Sequence, residues 1–290
     1  MVKYAVIGHP VGHSRSPGMH NAAFAGCGIA AEYLKMEVAP EEFDDFIRYA
    51  KANLAGFNLT VPHKRMILPY LEVVDPDAER IGSVNTVRVL PGKRLSGCST
   101  DGVGFEEAVR FRLGMGLSGG SFLLLGSGGA ARAVAFQLVK RGAKRLFIAN
   151  RHADRARELA GELGTGAEVL ELSDASGLSA ALRESDLLIQ ATSSGLRSDD
   201  TPPLDLSLLD AAPRRLRVFD LIYLPTPLLR RAEALGLCCC DGREMLLRQG
   251  AASFRFWTGV EPPVEAMRRG MEEQRTDTPP SDWRSAPRMP

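Results

Sequence analysis

Residues 121–131 read Ser-Phe-Leu-Leu-Leu-Gly-Ser-Gly-Gly-Ala-Ala. An apolar run passes directly into Gly126-x-Gly128-x-x-Ala131, and a helical pattern over Ala130–Arg141 follows. A strand, a glycine turn and a helix in that order restrict the chain to a βαβ unit built for a dinucleotide. Gly126 permits the tight turn, and Gly128 lets the backbone approach a pyrophosphate. Ala131, in place of a third glycine, still allows close helix–strand packing. Unpaired N–H groups at the helix start then face the phosphates. Without that frame, the same glycines would be an ordinary turn.

The surrounding sequence extends the unit. Apolar runs at Arg145–Ala149, Glu168–Leu172, Asp186–Ala191 and Leu216–Leu221 alternate with helical patterns such as Ala153–Leu163. A Rossmann-like domain is expected over 102–241. Residues 1–101 alternate too. Strands are expected at Tyr4–Ile7, Tyr33–Val38, Gly56–Val61 and Asn85–Leu90. A helix is expected over Pro17–Cys27 with Ser16 as N-cap, and another over Pro40–Ala50 with acidic residues in its first turn. The fold class is therefore α/β with two domains and mostly parallel sheets. Helical patterns at Arg243–Thr258 and Pro263–Gln274 make up a third segment, 242–275, expected to return and pack on the first domain. The tail, 276–290, is rich in Pro, Ser and charge and is expected to be disordered.

Bulk properties exclude several function classes. The net charge is +1, so no strong field points to nucleic acid or a membrane surface. Arg214, Arg215 and Arg217 form only a short basic cluster and read as solvated surface. No run of about 18 apolar residues is present, and the N-terminal Met-Val-Lys-Tyr-Ala-Val-Ile-Gly is too short in its apolar part for a signal peptide. The cytoplasm is the expected compartment. Cys27, Cys98, Cys238, Cys239 and Cys240 lack any CxxC spacing, so reduced cysteines are expected rather than disulfides, and no metal site. The chain is expected to act on a small molecule as a monomer or homodimer.

The second strand of the βαβ unit ends at Ala149-Asn150-Arg151. An NAD enzyme usually carries Asp or Glu near this place to bind the ribose hydroxyls. Here stand Asn150 and Arg151, with Arg155 one helical turn on. A guanidinium pairs with a 2′-phosphate, whereas a carboxylate would repel it. A cation at a helix N-terminus opposes the dipole, which suggests an anionic ligand. The cofactor indicated is NADP.

Three segments of the first domain gather small polar groups beside turn residues. They are Gly8–Pro17, Gly56–Lys64 and Ile81–Thr86, the last with Ser99-Thr100-Asp101-Gly102 after the next strand. Period-two spacing sets Asn58 and Thr60 on one side of their strand. Such groups at strand ends suit a polyhydroxylated acid. Taken singly they are ordinary: Ser14 and Ser16 could cap a helix, Asp101 could cap the next, and Lys64 could be a surface lysine.

Together these motifs resemble the shikimate dehydrogenase family over roughly residues 3–270. The segments that carry the resemblance are His13-Ser14-Arg15-Ser16-Pro17 with Met19-His20-Asn21, then Asn58-Leu59-Thr60-Val61-Pro62-His63-Lys64, and Ile81–Thr86. Thr100-Asp101-Gly102-Val103-Gly104-Phe105, Gly126–Ala130, Asn150-Arg151, Ala191-Thr192-Ser193, Asp220–Tyr223 and Met245–Ala251 follow in order. The resemblance implies reversible NADPH-dependent reduction of 3-dehydroshikimate to shikimate, a step of aromatic amino-acid (chorismate) biosynthesis. It makes residues 1–101 the substrate-binding and catalytic domain, with Lys64 and Asp101 the catalytic pair. It implies that Ser14, Ser16, Asn58, Thr60, Asn85, Tyr223 and Gln249 surround the substrate. By the same match Gly126, Ser127, Gly128, Gly129, Ala130, Asn150, Arg151, Arg155, Thr192 and Ser193 bind NADP. A lysine ammonium suits ketone reduction, because it stabilises charge on the oxygen and supplies a proton. Lys64 donates that proton directly or acts with Asp101 as one titrating unit.

The chain departs from the family pattern at three places. His152 stands where threonine is common, Gln190 where asparagine is usual, and Tyr223-Leu224-Pro225-Thr226-Pro227 is about two residues short. Two other readings belong to the same fold: a quinate/shikimate dehydrogenase using NAD, which Arg151 opposes, and a non-catalytic ligand sensor, which the presence of both Lys64 and Asp101 opposes.

Overall fold

A computed structural model describes residues 1–164, 166–195, 200–273 and 281–284. The chain divides into two units, residues 1–100 with 246–290, and residues 101–245.

In the first unit, β1 (Val2–Gly8), α1 (Ser16–Gly26), β2 (Ala31–Glu37), α2 (Phe43–Asn53) and β3 (Gly56–Leu59) follow the expected alternation. Then come β4 (Val73–Val74), α3 (Pro76–Ile81), β5 (Thr86–Leu90) and β6 (Arg94–Cys98). Among the described residues the strands lie in the order β2-β1-β3-β5-β6-β4. β1 pairs in parallel with β2 and β3, but β5 runs antiparallel to both β3 and β6. β4 and β6 also pair in parallel, so five of these six strands run one way and the sheet is mostly parallel, as expected, with β5 alone reversed. The reason is local: β5 and β6 are joined by only Pro91–Lys93, far too short for a crossover. Gly92 at φ 75° turns that corner.

Two further local readings change. Pro40–Glu42 forms a 3₁₀ turn before α2, so the expected single helix starts later. Ser16 is the first residue of α1 and caps nothing; Arg15 holds the N-cap position without a side-chain cap.

The first unit closes with residues from the far end of the chain. Helix α9 (Arg243–Thr258) lays Leu247, Ala251, Phe254 and Trp257 against Tyr4, Val6, Met19 and Phe24, and Met267 and Met271 join the same core. The C-terminal helices therefore return to the first domain. Of the tail expected to be disordered, 276–280 and 285–290 lie outside the described residues, as does Gln274 at the end of the expected last helix. Residues 281–284 are described and depart from the expectation. Trp283 is buried against Phe46 and Tyr49, and its indole N–H donates to the Glu37 carbonyl at 2.9 Å. Ser281 N–H donates to the Lys35 carbonyl at 2.6 Å, so this segment covers the outer edge of β2.

The second unit starts with α4 (Asp101–Leu113) and continues through β7 (Ser121–Leu125), α5 (Gly129–Lys140), β8 (Arg145–Asn150), α6 (Ala153–Leu163) and β9 (Glu168–Glu171). Its second half holds α7 (Ala175–Glu184), β10 (Leu187–Gln190), β11 (Arg217–Asp220), α8 (Pro227–Ala234) and β12 (Cys238–Cys240). The chain leaves through α9 (Arg243–Thr258) and ends its described helices with α10 (Val264–Glu273). All pairings in this sheet are parallel, in the order β12-β11-β10-β7-β8-β9. The order reverses between β7 and β10. This is the doubly wound dinucleotide-binding topology, whose ligand crevice opens at that reversal, beyond the carboxyl ends of the strands. The inner strand β7 is apolar because both of its faces are covered: Phe122 and Leu124 face one core, Leu123 and Leu125 the other. Gly102 permits close packing of α4 on α5, since a Cβ there would sit 2.9 Å from the Ala133 carbonyl oxygen.

Candidate functional site

In the second unit the crevice at the strand reversal is formed by the turns after β7 and β10. Gly126 has φ 110°, and a Cβ there would lie 2.9 Å from the Ala191 carbonyl oxygen. The two turns approach each other too closely for any other residue. Gly128 differs: a Cβ there would meet nothing within 4 Å. It is exposed and holds the N-cap position of α5, which has no side-chain cap. Ser127, Gly129 and Ala130 are half-buried around it. The first N–H groups of α5 therefore point past open backbone, the arrangement that receives a phosphate.

Asn150 ends β8, and its side-chain amide donates to the His152 carbonyl at 3.0 Å, fixing the turn into α6. His152 holds the N-cap position of α6 without a side-chain cap. Arg151 and Arg155 are exposed, and neither guanidinium has an ion pair among the described residues. By contrast Arg157 on the same helix pairs with Asp154. The cationic pair, the uncapped helix start and the open glycine fit a phosphorylated dinucleotide.

The turn after β10 is organised by Gln190, which is fully buried. Its amide accepts from Thr192 N–H at 2.8 Å and donates to the Ser194 carbonyl at 2.9 Å. The Thr192 hydroxyl accepts in turn from Ser194 N–H at 3.1 Å. Ser193 is the exposed member of this turn. Gln190 thus does here the work of shaping the loop, although it departs from the family pattern.

Tyr223 is half-buried in the turn between β11 and α8. Asp220 holds that turn from beneath: it accepts from Ile222 N–H at 3.0 Å and from the Thr226 hydroxyl at 2.7 Å. Thr226 caps α8 through Leu229 N–H. Asp220 is fully buried, and burial pushes its carboxyl up to about 6 against the hydrogen bonds that lower it. Asp101 is buried at the first residue of α4.

In the first unit a hydrogen-bonded set of amides and hydroxyls joins β3, β5, the end of β6 and α9. Asn58 Nδ2 faces the Asn85 carbonyl oxygen at 3.0 Å, Thr86 Oγ1 at 3.0 Å and Ser253 Oγ at 3.2 Å. The Tyr33 hydroxyl donates to Asn58 Oδ1 at 2.6 Å. Asn85 Nδ2 donates to Thr100 Oγ1 at 2.9 Å and to Gln249 Oε1 at 3.2 Å. Thr100 N–H returns to Asn85 Oδ1 at 2.9 Å. All these side chains except Gln249, at the rim of the core, are deeply buried. A network satisfied to this degree fixes one arrangement of its members.

Ser14 lies on the loop entering α1 and Ser16 is the first residue of that helix, and Ser16 N–H donates to the Ser14 hydroxyl at 3.3 Å. From below, Lys35 Nζ donates to the Gly12 carbonyl at 2.6 Å, and Glu37 accepts from Val11 N–H at 3.1 Å. Thr60 follows β3, with its methyl against Gly8 and its N–H on the Ile7 carbonyl. Lys64 is half-buried in the turn after it. Its backbone is pinned by Val84 N–H at 2.9 Å, and the neighbouring His63 is anchored to the Val38 carbonyl at 2.7 Å.

The structure thus brings Asn58, Asn85 and Gln249 into one network, with Ser14 and Ser16 paired at the start of α1. The network members Tyr33, Thr86, Thr100 and Ser253, and the turn organisers Asp220 and Gln190, carry no assignment from the sequence. Gln249 and Ser253 gave a signal, since polar residues four apart share one helix face.

Comparison with known proteins agrees with this architecture. The family model described as the shikimate dehydrogenase substrate binding domain matches residues 6–87. That described as shikimate/quinate 5-dehydrogenase matches 109–199, and that of the shikimate 5′-dehydrogenase C-terminal domain matches 242–270. The chain is 44% identical to the NADP(+) shikimate dehydrogenase of Methanopyrus kandleri, covering 92% of this chain and 94% of that one. It is similar to the crystal structure of the Thermus thermophilus shikimate 5-dehydrogenase in complex with NADP(H) and shikimate. The TM-score is 0.83 at 39% identity, over 94% of this chain and 99% of that one. It is also similar to the quinate dehydrogenase of Corynebacterium glutamicum in complex with NAD, with a TM-score of 0.83 at 30% identity over 94% and 99%.

Proposed function

The chain belongs to the shikimate dehydrogenase family, and from that premise we propose that it catalyses the reversible NADPH-dependent reduction of 3-dehydroshikimate to shikimate, a step toward chorismate. The observation that carries this reading is the identity of 44% with an NADP(+) shikimate dehydrogenase over nearly the whole of both chains.

The chemistry supplied by NADPH when bound is a hydride for the carbonyl carbon. The protein must then hold that cofactor, hold the substrate and manage one proton. For the first task we assign Gly126, Ser127, Gly128, Gly129 and Ala130 to the pyrophosphate, with the uncapped start of α5 supplying N–H donors. Arg151 and Arg155, with Asn150, take the 2′-phosphate end, and Thr192 and Ser193 line the opposite turn. For the second, Ser14, Ser16, Asn58, Thr60, Asn85, Tyr223 and Gln249 present the hydroxyls and amides that a polyhydroxylated acid requires.

For the third task we assign Lys64 and Asp101. As charge grows on the ketone oxygen, the Lys64 ammonium stabilises it and supplies the proton. Asp101 is assigned the task of directing the lysine toward that oxygen. In the oxidative direction the same groups accept the proton of the shikimate hydroxyl.

Steady-state reduction of NADP⁺ with shikimate, repeated with quinate and with NAD⁺, tests the assignment. Turnover with shikimate and NADP⁺ well above the other three combinations is the expected result. A preference for quinate with NAD⁺ would transfer the chain to the quinate branch.

A further inference from the structure

The Met19-His20-Asn21 segment belongs to the family-like motifs, yet neither the proposed substrate contacts nor the cofactor contacts use it. In the structure all its polar chemistry is turned on one residue. Asn21 grips the backbone of Tyr33 from both sides, accepting from Tyr33 N–H at 2.7 Å and donating to the Tyr33 carbonyl at 3.0 Å. His20 lies flat on the Tyr33 ring, with centroids 4.4 Å apart and planes 17° apart. Both of its ring nitrogens are buried without a hydrogen-bond partner, and burial pushes its pKa down to about 3. A neutral imidazole with nothing to donate to or accept from acts here as an aromatic disc.

What Tyr33 does with this restraint follows from counting protons. Asn58 Nδ2 faces a backbone carbonyl, which only accepts, so the orientation of that amide is fixed. Its oxygen therefore faces Tyr33, and the single phenolic proton must go to it, over 2.6 Å. The result is a directed contact from Tyr33 to Asn58.

We propose that Tyr33, clamped by His20 and Asn21, is a positioning residue of the substrate site, acting on the ligand through Asn58. The assignment rests on the functional reading above. Tyr33 keeps the Asn58 amide from turning over, because the alternative orientation would set the amide nitrogen against the phenolic proton and the amide oxygen against the Asn85 carbonyl oxygen, 3.0 Å away. Two facing acceptors at that distance are strongly disfavoured.

The test is Tyr33→Phe, which keeps the ring stack and removes one oxygen. The shikimate KM should rise about tenfold, the equivalent of one buried hydrogen bond, while kcat and the NADP KM move less than about twofold. Shikimate binding measured by calorimetry without cofactor should weaken in parallel. Adding Asn58→Ala should cost less than the product of the two single effects, because Tyr33 acts through Asn58. His20→Phe should retain the unmodified KM, and His20→Ala should not. A Tyr33→Phe enzyme with the unmodified KM and affinity would overturn the positioning role, as would fully multiplicative effects with Asn58→Ala. If the unmodified protein failed to oxidise shikimate, the functional reading would fall instead.

Discussion

The Asp220 carboxylate accepts the Thr226 hydroxyl at 2.7 Å inside the turn that carries Tyr223. A carboxyl with no exposure is an expensive way to hold a loop, and burial raises its pKa from 3.8 to about 6. The sign of the consequence is definite. Between pH 4 and 6 the folded chain holds a proton on Asp220 that the unfolded chain releases. Stability from this group is therefore complete below about pH 4 and lost as pH rises through about 6. The full span is about 3 kcal/mol at most, from two pK units. In urea titrations at several pH values, Asp220→Asn should flatten the fall in stability over that window. Identical pH slopes in the two proteins would remove Asp220 as the cause.

The two glycines of the cofactor turn should fail differently. Gly126→Ala places a Cβ in a left-handed backbone and against the Ala191 carbonyl, so it should lower stability by about 1–3 kcal/mol. Gly128→Ala meets only open space in the protein. It should leave the melting temperature unchanged and weaken NADP binding, measured by calorimetry or fluorescence titration. Equal melting temperatures for all three proteins would contradict the first expectation, and an unchanged NADP affinity in Gly128→Ala the second.

Arg151→Ala should raise the KM for NADP about tenfold or more, since a hydrogen bond between charged groups contributes about 1.5–3 kcal/mol. The KM for NAD should hardly change. Parallel loss with both cofactors would mean that the guanidinium serves the fold or the shared part of the dinucleotide rather than the 2′-phosphate.

Lys64→Ala should lower kcat by about 10²–10⁴, the range of general acid–base groups, while calorimetric binding of shikimate and NADP persists. Its backbone anchor to Val84 N–H does not depend on the side chain, so the turn should survive the change. Unaltered turnover would exclude Lys64 from the reaction.

Most of the second unit was legible in the sequence because parallel strands covered on both faces are continuous apolar runs bounded by glycine and polar turns. The strand that escaped, β12, is Cys238-Cys239-Cys240 at the sheet edge, three residues without alternation. In the first unit, β4 has two residues and β6 begins immediately after a three-residue turn, so neither offers a periodic signal. The polar positions Asn58, Asn85 and Gln249 were marked by resemblance. Thr86 and Thr100 lie inside motifs that carry the resemblance but drew no role from it, and Tyr33 and Ser253 lie outside them, each a lone hydroxyl in an otherwise ordinary element. Only the fold brings residues 33, 58, 85 and 253 within hydrogen-bonding distance. Trp283 was misjudged with its tail because a composition rich in Pro, Ser and charge outweighs one indole in any average, whereas burial is decided by that one side chain.

The core shared by Tyr4, Met19, Phe254, Trp257 and Met267 also sets an order of assembly during synthesis. The first hundred residues emerge from the ribosome with half of that core missing, and they wait while 145 more are translated. The nucleotide-binding unit, contiguous in the chain, is complete before its predecessor is. The unit begun first is thus the later to be completed, and in the interval Tyr4, Met19 and Phe24 lack the cover that Phe254, Trp257 and Met267 give them in the folded protein.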